Sequence, residues 1–340
     1  MSKLVFVIGA GRSGSTLFMN MMNEHSSIIA PPEHDFLLNS LHKFGRKEFL
    51  SDKEITTWVR DLWIRKTEFR EIWQLNEKEL LTDLLKGNKS YVNVFKTIIA
   101  AYDTSKKDAS ILIDKNPFYT AHVDLLKSRF PDAVFICLVR DFRDRYVSIL
   151  RNESEVFKND VARTAIWNSY NLEIKKLKDE SPEIAHVLKF EDLVSDPVKA
   201  LGEVCDFLKV NFETEMLDYH KVKRMKFSAA GVLNDAVNKM HEGSNKPVNS
   251  AKVGLWKSKL DSDELKRISF FCNETAEEFG YTDLVELTDK EMKSIKKKYG
   301  FELKKGQIRL FLKKMSYRLP WWLQKGLAKY YRKSLANKDA

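Results

Sequence analysis

The stretch Leu4-Val5-Phe6-Val7-Ile8-Gly9-Ala10-Gly11-Arg12-Ser13-Gly14-Ser15-Thr16 runs from a continuous apolar segment into a glycine-rich turn. The apolar segment Leu4–Ile8 is typical of a buried parallel strand, and Ser13–His25 carries apolar residues at helical spacing. Backbone N–H groups at the start of such a helix point at an anion, and the helix dipole favours negative charge there. The sequence therefore predicts a phosphate-binding turn between a first strand and a first helix.

Strands and helices alternate along most of the remaining chain. A second strong strand is predicted at Ala133–Val139, and a helix follows from about Phe142. Shorter strands are predicted at Ile28–Ala30, Ile111–Ile113 and Ala185–Phe190. This alternation indicates an α/β fold, a P-loop-like single domain with a mainly parallel central sheet flanked by helices.

The net charge of +10 is concentrated at the C-terminal end of the chain. Residues 290–340 contain 16 Lys and Arg against 3 Asp and Glu, a net charge of +13, whereas residues 1–289 carry −3. We therefore predict a catalytic domain over 1–289 and a basic amphipathic helical tail over 290–340. Because the basic residues lie in the tail, no nucleic-acid partner is expected. The three cysteines are odd in number and lie among apolar residues, which favours free thiols in a reducing compartment.

The glycine-rich turn fits more than one class of nucleotide site. Gly9, Gly11 and Gly14 satisfy G-x-G-x-x-G, which predicts an NAD(P)-dependent Rossmann oxidoreductase. The same turn lies within one residue of the P-loop pattern, but Ser15 stands where that loop has its lysine, which argues against a kinase. The turn instead carries the cation of Arg12 and three hydroxyl groups, which suit a terminal, more highly charged phosphate or sulfate. A catalytically inactive, membrane-associated nucleotide-binding scaffold is a further alternative.

A second anion-binding motif is predicted directly after the strand Ala133–Val139. Arg140 lies where that strand ends, and Ser148 lies two turns into the following helix. An arginine at the carboxyl end of a strand can hold a phosphate with two parallel hydrogen bonds. The alternative is that Arg140 pairs with Asp144 on a solvated face of the helix.

Both motifs resemble those of sulfotransferases that use 3′-phosphoadenosine-5′-phosphosulfate (PAPS). Arg12–Leu17 is similar to the R-S-G-[ST]-T-L loop of the family, and Arg140–Ser148 is similar to its R-[DN]-P-x-D-x-x-x-S motif, with Phe142 in place of the proline. The resemblance implies that Arg140 and Ser148 bind the 3′-phosphate of the nucleotide. It also implies a set of residues that hold the 5′-phosphate and the sulfuryl oxygens, namely Arg12, Ser13, Gly14, Ser15 and Thr16.

Three other segments extend the resemblance over about residues 4–285. Asp114–Pro117 is similar to the D-K-[TN]-P step of the family, and Lys189–Pro197 to its Y-E-D-L-x-x-D-P segment. Val253–Lys257 resembles a late loop that closes over the nucleotide, which implies that Trp256 and Lys257 contact it. Residues 40–100 are predicted to be a helical insertion that shapes the acceptor site.

The resemblance implies sulfuryl transfer from PAPS to an acceptor hydroxyl by in-line attack, with no metal ion. Arg12 and Lys115 are assigned to the charge that develops on the sulfuryl and bridging oxygens. A carboxylate after the second strand is the general base in some relatives, which makes Glu33 the first candidate. His34 is the rival candidate because the ordinary pKa of histidine is near neutrality.

The acceptor is expected to be a carbohydrate, a lipid-linked hydroxyl or another small hydroxylated molecule. Ile308, Phe311, Leu312, Met315 and Leu319 form one apolar helix face in the tail, and two tryptophans follow among further basic residues. Such a composition suits an anionic membrane surface, and equally a basic helical hairpin that packs on the catalytic domain. The expected location is cytoplasmic, with peripheral association at the inner membrane face as the membrane alternative.

Overall fold

A five-stranded parallel sheet forms the centre of the protein, which we describe from a computed structural model. The structure describes residues 2–34, 36–65, 72–106, 108–150, 160–222, 228–229, 232–233 and 246–316, together with Leu319 and Leu323. The strand order is β2-β3-β1-β4-β5, and all four neighbouring pairs are parallel. The strands are β1 (Lys3–Gly9), β2 (Ile28–Ile29), β3 (Ile111–Lys115), β4 (Val134–Val139) and β5 (Ala185–Lys189). This architecture confirms the predicted fold class.

Helices occupy most of the sequence between the strands. In the first half of the chain they are α1 (Ser15–Met22), α2 (Phe36–Phe44), α3 (Asp52–Arg65), α4 (Glu77–Lys86), α5 (Tyr91–Ala100) and α6 (Val123–Arg129). In the second half they are α7 (Phe142–Leu150), α8 (Asp160–Glu180), α9 (Phe190–Ser195), α10 (Pro197–Leu208), α11 (Trp256–Lys259), α12 (Ser262–Glu278) and α13 (Asp289–Ser316). Short 3₁₀ segments cover Pro117–His122, Pro182–Ile184 and Thr214–Lys221.

The central strand β1 is buried on both faces, and its alternating side chains enter two separate cores. Leu4, Phe6 and Ile8 pack with the helices of residues 36–100, whereas Val5 and Val7 pack with α1 and α10. A strand that is covered on both sides has no polar face, which explains the continuous apolar run in the sequence. The helical insertion predicted at 40–100 therefore covers one face of the sheet.

Two tryptophans of the insertion are buried in this packing. Trp58 and Trp73 are 3% and 4% exposed and belong to the core beside the sheet. Trp58 stacks on Tyr91 with ring centroids 5.4 Å apart. These two rings stabilise the insertion and are not available to stack on an acceptor.

A third core joins α7, α8 and α12 around Trp167 and Cys272. Helix α13 packs along α8, so the basic segment is attached to the rest of the fold from its first turn. Its start at Asp289 coincides with the predicted boundary between catalytic domain and tail, and the division into these two units stays a prediction.

The observed elements differ from the predicted ones mainly at their ends. Helix α1 begins at Ser15 instead of Ser13 because Gly14 has a φ of 86°, which no helical residue adopts. Between β3 and β4, the 3₁₀ segment Pro117–His122 leads directly into α6. Much of the segment 223–245 lies outside the described residues, and within it β6 (Ser228–Ala229) and β7 (Val232–Leu233) pair antiparallel.

The three cysteines are buried free thiols, as predicted. In the ranges that the structure describes, no helix combines the length and the apolar character that a membrane crossing requires. Over the same ranges, no cluster of three or more His, Cys, Asp or Glu side chains could hold a metal ion.

Candidate functional site

The carboxyl ends of the parallel strands bring most of the predicted site residues to one edge of the sheet. The segments after the strands lie side by side in the order of the strands themselves. Glu33 follows β2, Lys115 ends β3, the glycine-rich turn follows β1, and Arg140 follows β4. Strands β2 and β3 lie on one side of β1, and strands β4 and β5 lie on the other. Ligands of open α/β sheets bind where the strand order reverses in this way.

The turn after β1 has a backbone conformation that depends on its glycines. Gly9 and Gly14 have φ angles of 145° and 86°, and a Cβ atom on Gly14 would lie 2.4 Å from the ring of Phe190. Thr120 fixes the start of the turn, because its hydroxyl accepts a hydrogen bond of 2.8 Å from the N–H of Gly9. Arg12 also adopts a positive φ, 74°, so the backbone turns tightly around the space in front of α1.

The first turn of α1 is open to an anion. Gly14 caps the helix without a side-chain hydrogen bond, and the first turn contains no acidic residue. Its N–H groups therefore keep their affinity for negative charge. Ser13 is 1% exposed, and within the described part of the chain its Oγ has no hydrogen-bond partner. Because a buried hydroxyl without a partner is costly, this atom indicates a position that a ligand oxygen fills.

Direct contacts join the glycine-rich turn to the second predicted anion motif. Arg12 Nε donates to Ser148 Oγ at 3.2 Å, and Arg140 Nη1 donates to the carbonyl oxygen of Arg12 at 3.2 Å. The guanidinium of Arg140 also stacks on the ring of Phe190, with Cζ 4.2 Å from the ring centroid. Two segments that are distant in sequence therefore form one cationic surface.

Burial and three nearby carboxylates, those of Asp144, Glu191 and Asp141, act in opposite directions on the pKa of Arg140. Arg140 donates to the carbonyl oxygens of Arg12 and Lys252, and its buried Nε has no partner among the described residues. Burial, and then the nearby Arg140, lowers the pKa of Arg12 to about 10, and burial likewise lowers the pKa of Arg140. Both groups remain charged at neutral pH. Partly desolvated cations that contact carbonyls favour an anion of high charge.

Asp144 contacts the late loop and does not pair with Arg140 on a solvated face. Its carboxylate accepts hydrogen bonds from the N–H groups of Gly254 at 2.6 Å and Trp256 at 3.0 Å. Arg140 and Asp144 are 5% and 2% exposed. The alternative of a solvated ion pair is therefore wrong, and Asp144 instead attaches the segment of Trp256 to the second motif.

Trp256 and Lys257 lie on the side of the site formed by Arg143. The guanidinium of Arg143, paired with Asp141 at 2.7 Å, lies 4.1 Å from the centroid of the Trp256 ring. Lys257 is exposed, with its ammonium 3.6 Å from a carboxylate oxygen of Asp283. The structure brings Trp256 to the second motif through its backbone and directs Lys257 towards Asp283. Their predicted contact with the nucleotide stays a prediction.

Glu33 and Lys115 form an ion pair at the opposite end of the site. The ammonium of Lys115 donates to Glu33 Oε2. The Lys115 side chain is 6% exposed and the Glu33 side chain 45% exposed. The strand-end lysine is thus covered by protein, while the carboxylate remains accessible to a molecule that approaches from solvent.

His34 has the opposite environment to its neighbour Glu33. Its side chain is 2% exposed, stacks on Phe36 at 4.0 Å and has Nε2 3.0 Å from Asp114 Oδ1. Asn116 donates to the carbonyl oxygen of His34 at 2.6 Å. These contacts attach the segment after β2 to the end of β3, and so they position Glu33 next to Lys115.

Three residues of the site were not identified from the sequence. Arg145 is buried and donates to the carbonyl oxygen of Gly11 at 2.8 Å, and Trp167 donates to the carbonyl oxygen of Arg140 at 2.9 Å. Thr120, which contacts Gly9, is the third. Arg145 lies inside the second motif and could have been noticed there. Thr120 and Trp167 have no local signal because their partners are backbone atoms of distant segments.

Comparisons with known proteins place the chain in one family. A family described as "Sulfotransferase family" matches residues 5–214. The chain is 23% identical to Protein-tyrosine sulfotransferase 1 of Danio rerio over 264 residues, which cover 76% of this chain and 67% of that protein.

Two solved structures share the fold. A sulfotransferase domain from the curacin biosynthetic pathway has a TM-score of 0.57 and 23% identity, with coverage of 84% of this chain and 99% of that one. The sulfotransferase domain of the Synechococcus PCC 7002 olefin synthase also has a TM-score of 0.57, with 20% identity and coverage of 83% and 97%. With more than half of its length matched by the family, the chain belongs to the PAPS-dependent sulfotransferases and is a sulfotransferase enzyme.

Proposed function

We propose that this enzyme binds PAPS across the middle of the sheet edge and transfers its sulfuryl group to an acceptor hydroxyl held near Glu33. The observation that carries the proposal is the direct contact between the two anion motifs, from Arg12 to Ser148 and from Arg140 to Arg12. A dinucleotide or a nucleoside triphosphate needs no such second anchor. A nucleotide with phosphates at both its 3′ and its 5′ position needs a second anchor.

The residues present fit this donor. When bound, PAPS supplies an activated sulfuryl group and a bisphosphate nucleotide as leaving group. The N–H groups of α1 and the unpartnered Ser13 hydroxyl would bind the 5′-phosphosulfate, together with Gly14, Ser15 and Thr16. Arg140, with its free Nε, and Ser148 would bind the 3′-phosphate. We assign Trp256 and Lys257 to the loop that closes over the nucleotide.

The order of the strands suggests how the acceptor is oriented. Neighbouring strands lie about 4.8 Å apart, so the segment after β2 is about two strand spacings from the turn after β1. Lys115, at the end of β3, lies between them. An acceptor hydroxyl at Glu33 would then face the sulfuryl group from the side opposite Arg140, which suits in-line attack.

Each catalytic side chain has a proposed role. Glu33 takes the proton of the acceptor hydroxyl on its carboxylate, which an acceptor can reach because about half of the side chain is exposed. Lys115 and Arg12 stabilise the negative charge that develops on the sulfuryl and bridging oxygens. His34 acts as a positioning residue, since its buried ring contacts Asp114 and Phe36.

Several hydroxyl classes remain candidates for the acceptor. The Danio rerio relative is named as a protein-tyrosine sulfotransferase, which makes a tyrosine hydroxyl one candidate. Carbohydrate and lipid-linked hydroxyls are the others. A transfer assay with a tyrosine peptide, an oligosaccharide and a lipid-linked sugar would separate these three classes.

Calorimetric titration with 3′-phosphoadenosine-5′-phosphate, the product nucleotide, tests the donor site. We expect Arg140→Ala to weaken binding about ten- to hundredfold, because hydrogen bonds to charged groups contribute ~1.5–3 kcal/mol. Ser13→Ala should also weaken binding while the ligand-free protein keeps its stability, because the hydroxyl loses no protein partner. Arg60→Ala, an exposed arginine on α3, is the matched control and should bind as wild type does.

NADPH and ATP with Mg²⁺ would be titrated beside the bisphosphate. Tight binding of NADPH would contradict the proposal and favour the oxidoreductase alternative. Binding of none of the three would contradict the proposal of a nucleotide site at this edge of the sheet. An unchanged affinity in Arg140→Ala would show that the second motif does not hold the 3′-phosphate.

A further inference from the structure

Helix α13 exposes large apolar side chains on the face that points away from the protein. Phe301 is 78% exposed, Ile308 57%, Phe311 61% and Leu312 46%. At 100° per residue, Phe301, Ile308 and Leu312 fall within about 40° of one another around the helix axis. They therefore form a continuous stripe, about 17 Å long, which we call the outer stripe.

The opposite face of α13 is fixed to the enzyme. Arg267 of α12 lies with Cζ 5.4 Å from the ring centroid of Tyr299, and Lys266 pairs with Glu291 at 2.7 Å. Near the other end of the helix, Lys314 lies 3.9 Å from Glu173 of α8. These contacts attach α13 to α12 and α8 at Glu291, Tyr299 and Lys314, away from the outer stripe.

Positive charge surrounds the outer stripe. Residues 290–316 contain 10 Lys and Arg against 2 Glu, a net charge of +8. Lys297 and Lys304 lie along one side of the stripe and Lys298 along the other, and all three are exposed. Lysines beside an apolar stripe can place their stems on apolar surface and their ammonium groups among anions.

The geometry points to an anionic lipid surface as the partner of this face, with α13 lying in the plane of the membrane interface. A helix of this kind inserts its apolar face into the boundary between headgroups and acyl chains, and its basic residues contact anionic headgroups. Each exposed feature then has a matching feature in the bilayer: acyl chains for Phe301, Ile308 and Leu312, and phosphate groups for the lysines.

A second copy of the chain is a poorer partner for the outer stripe. An isologous contact through this face would bring the same lysines of both copies together, because a two-fold axis pairs each patch with itself. Like charges at close range disfavour such a dimer. The charge that opposes self-association favours an anionic bilayer.

Sedimentation of the full chain with vesicles tests this inference without any nucleotide or acceptor. Two vesicle preparations are compared, pure phosphatidylcholine and phosphatidylcholine with about 30% phosphatidylglycerol, at low and high salt. We expect binding to the anionic vesicles that weakens as salt is added. The double variant Phe301→Ser/Ile308→Ser and the double variant Lys297→Glu/Lys304→Glu should each reduce the partition coefficient by about tenfold or more.

Matched controls carry the same changes elsewhere on the surface. Phe49→Ser removes another exposed phenylalanine, 60% exposed, and Lys78→Glu/Lys86→Glu reverses two exposed lysines of α4. Both controls should bind as wild type does, and all variants should keep the wild-type melting temperature. Equal binding to neutral and anionic vesicles would overturn the inference, as would equal losses in the controls. A dimer in light scattering that Phe301→Ser/Ile308→Ser converts to a monomer would assign the stripe to a second copy instead.

Discussion

At the scale of single residues, the contrast between Glu33 and His34 supports the proposal that Glu33 is the general base. Glu33 is about half exposed and contacts Lys115, whereas the His34 side chain is 2% exposed among Phe36 and Asp114. A general base must reach the proton that it removes, and a side chain enclosed by a ring and a carboxylate does not. Adjacent positions in the sequence therefore have different roles.

The Glu33→Gln variant should keep its affinity for the bisphosphate nucleotide and lose about 10²- to 10⁴-fold in the rate of sulfuryl transfer, the usual contribution of a general base. Glu33→Asp, which keeps the carboxylate, should retain part of that rate. The rates would be measured with the acceptor class that the transfer assay identifies.

His34→Gln is the companion variant and should act mainly on stability. Loss of the stack on Phe36 and of the contact with Asp114 should lower the melting temperature, and the remaining activity should keep the pH profile of wild type. A His34→Gln rate loss as large as that of Glu33→Gln, with unchanged stability, would instead favour His34 as the base.

At the scale of elements, the turn between β1 and α1 is where we propose that the donor binds. Its shape depends on packing against β5 and α9, because Phe190 contacts both Gly14 and Arg140. The 3₁₀ segment after β3 contributes Thr120 to the same turn. Three strands and the segments after them therefore fix one anion site.

Gly14→Ala should destabilise the protein by ~1–3 kcal/mol, because the new Cβ would lie 2.4 Å from Phe190 and the φ of 86° is strained for alanine. Affinity for the bisphosphate nucleotide should fall as the turn moves. Gly11→Ala is the matched control, since its Cβ would meet nothing within 4 Å. Urea unfolding without ligand would compare the two variants, and equal losses would show that close packing does not hold the turn.

At the scale of the whole molecule, Glu191 connects the nucleotide side of the site to the C-terminal part of the fold. Its carboxylate accepts from the N–H of Asp141 at 3.0 Å, after β4, and from the hydroxyl of Tyr281 at 3.0 Å, after α12. Burial raises the pKa of Glu191, and these hydrogen bonds oppose that shift in part.

The raised pKa of Glu191 makes stability depend on pH. At pH values between 4.5, the ordinary pKa of a glutamate, and the higher pKa of Glu191 in the folded protein, the folded protein holds a proton on Glu191 that the unfolded chain has released. The contribution of Glu191 to the free energy of unfolding therefore falls as pH rises through this range. In Glu191→Gln this contribution is absent, so the stability of the variant relative to wild type should rise from pH 4.5 to pH 7.

Urea unfolding of Glu191→Gln and wild type at several pH values would measure this difference. Glu277→Gln, which changes an exposed glutamate of α12, is the control and should give a difference that does not vary with pH. A Glu191→Gln difference that is flat or falls with pH would contradict the burial argument.

The sequence by itself determined the fold class, and it predicted most of the residues that the structure brings to the candidate site. The run Leu4–Ile8 and the turn that follows it predicted a buried strand before an anion site, because hydrophobic periodicity and glycine placement are local properties of the chain. Arg140 and Ser148 were found in the same way, from their place after the strand Ala133–Val139. The strand ends were correct to within one or two residues because apolar runs end where burial ends.

The tertiary structure alone decided the order of the strands and the long-range contacts at their ends. Strand order and packing determine three contacts, namely Glu33 with Lys115, Asp144 with the loop of Trp256, and Arg12 with Ser148. Thr120 and Trp167 belong to the site through hydrogen bonds to backbone atoms, which every residue type presents alike. No sequence pattern identifies such a partner, because the contact depends on where the fold places two distant segments and not on the residue type that supplies the backbone atom.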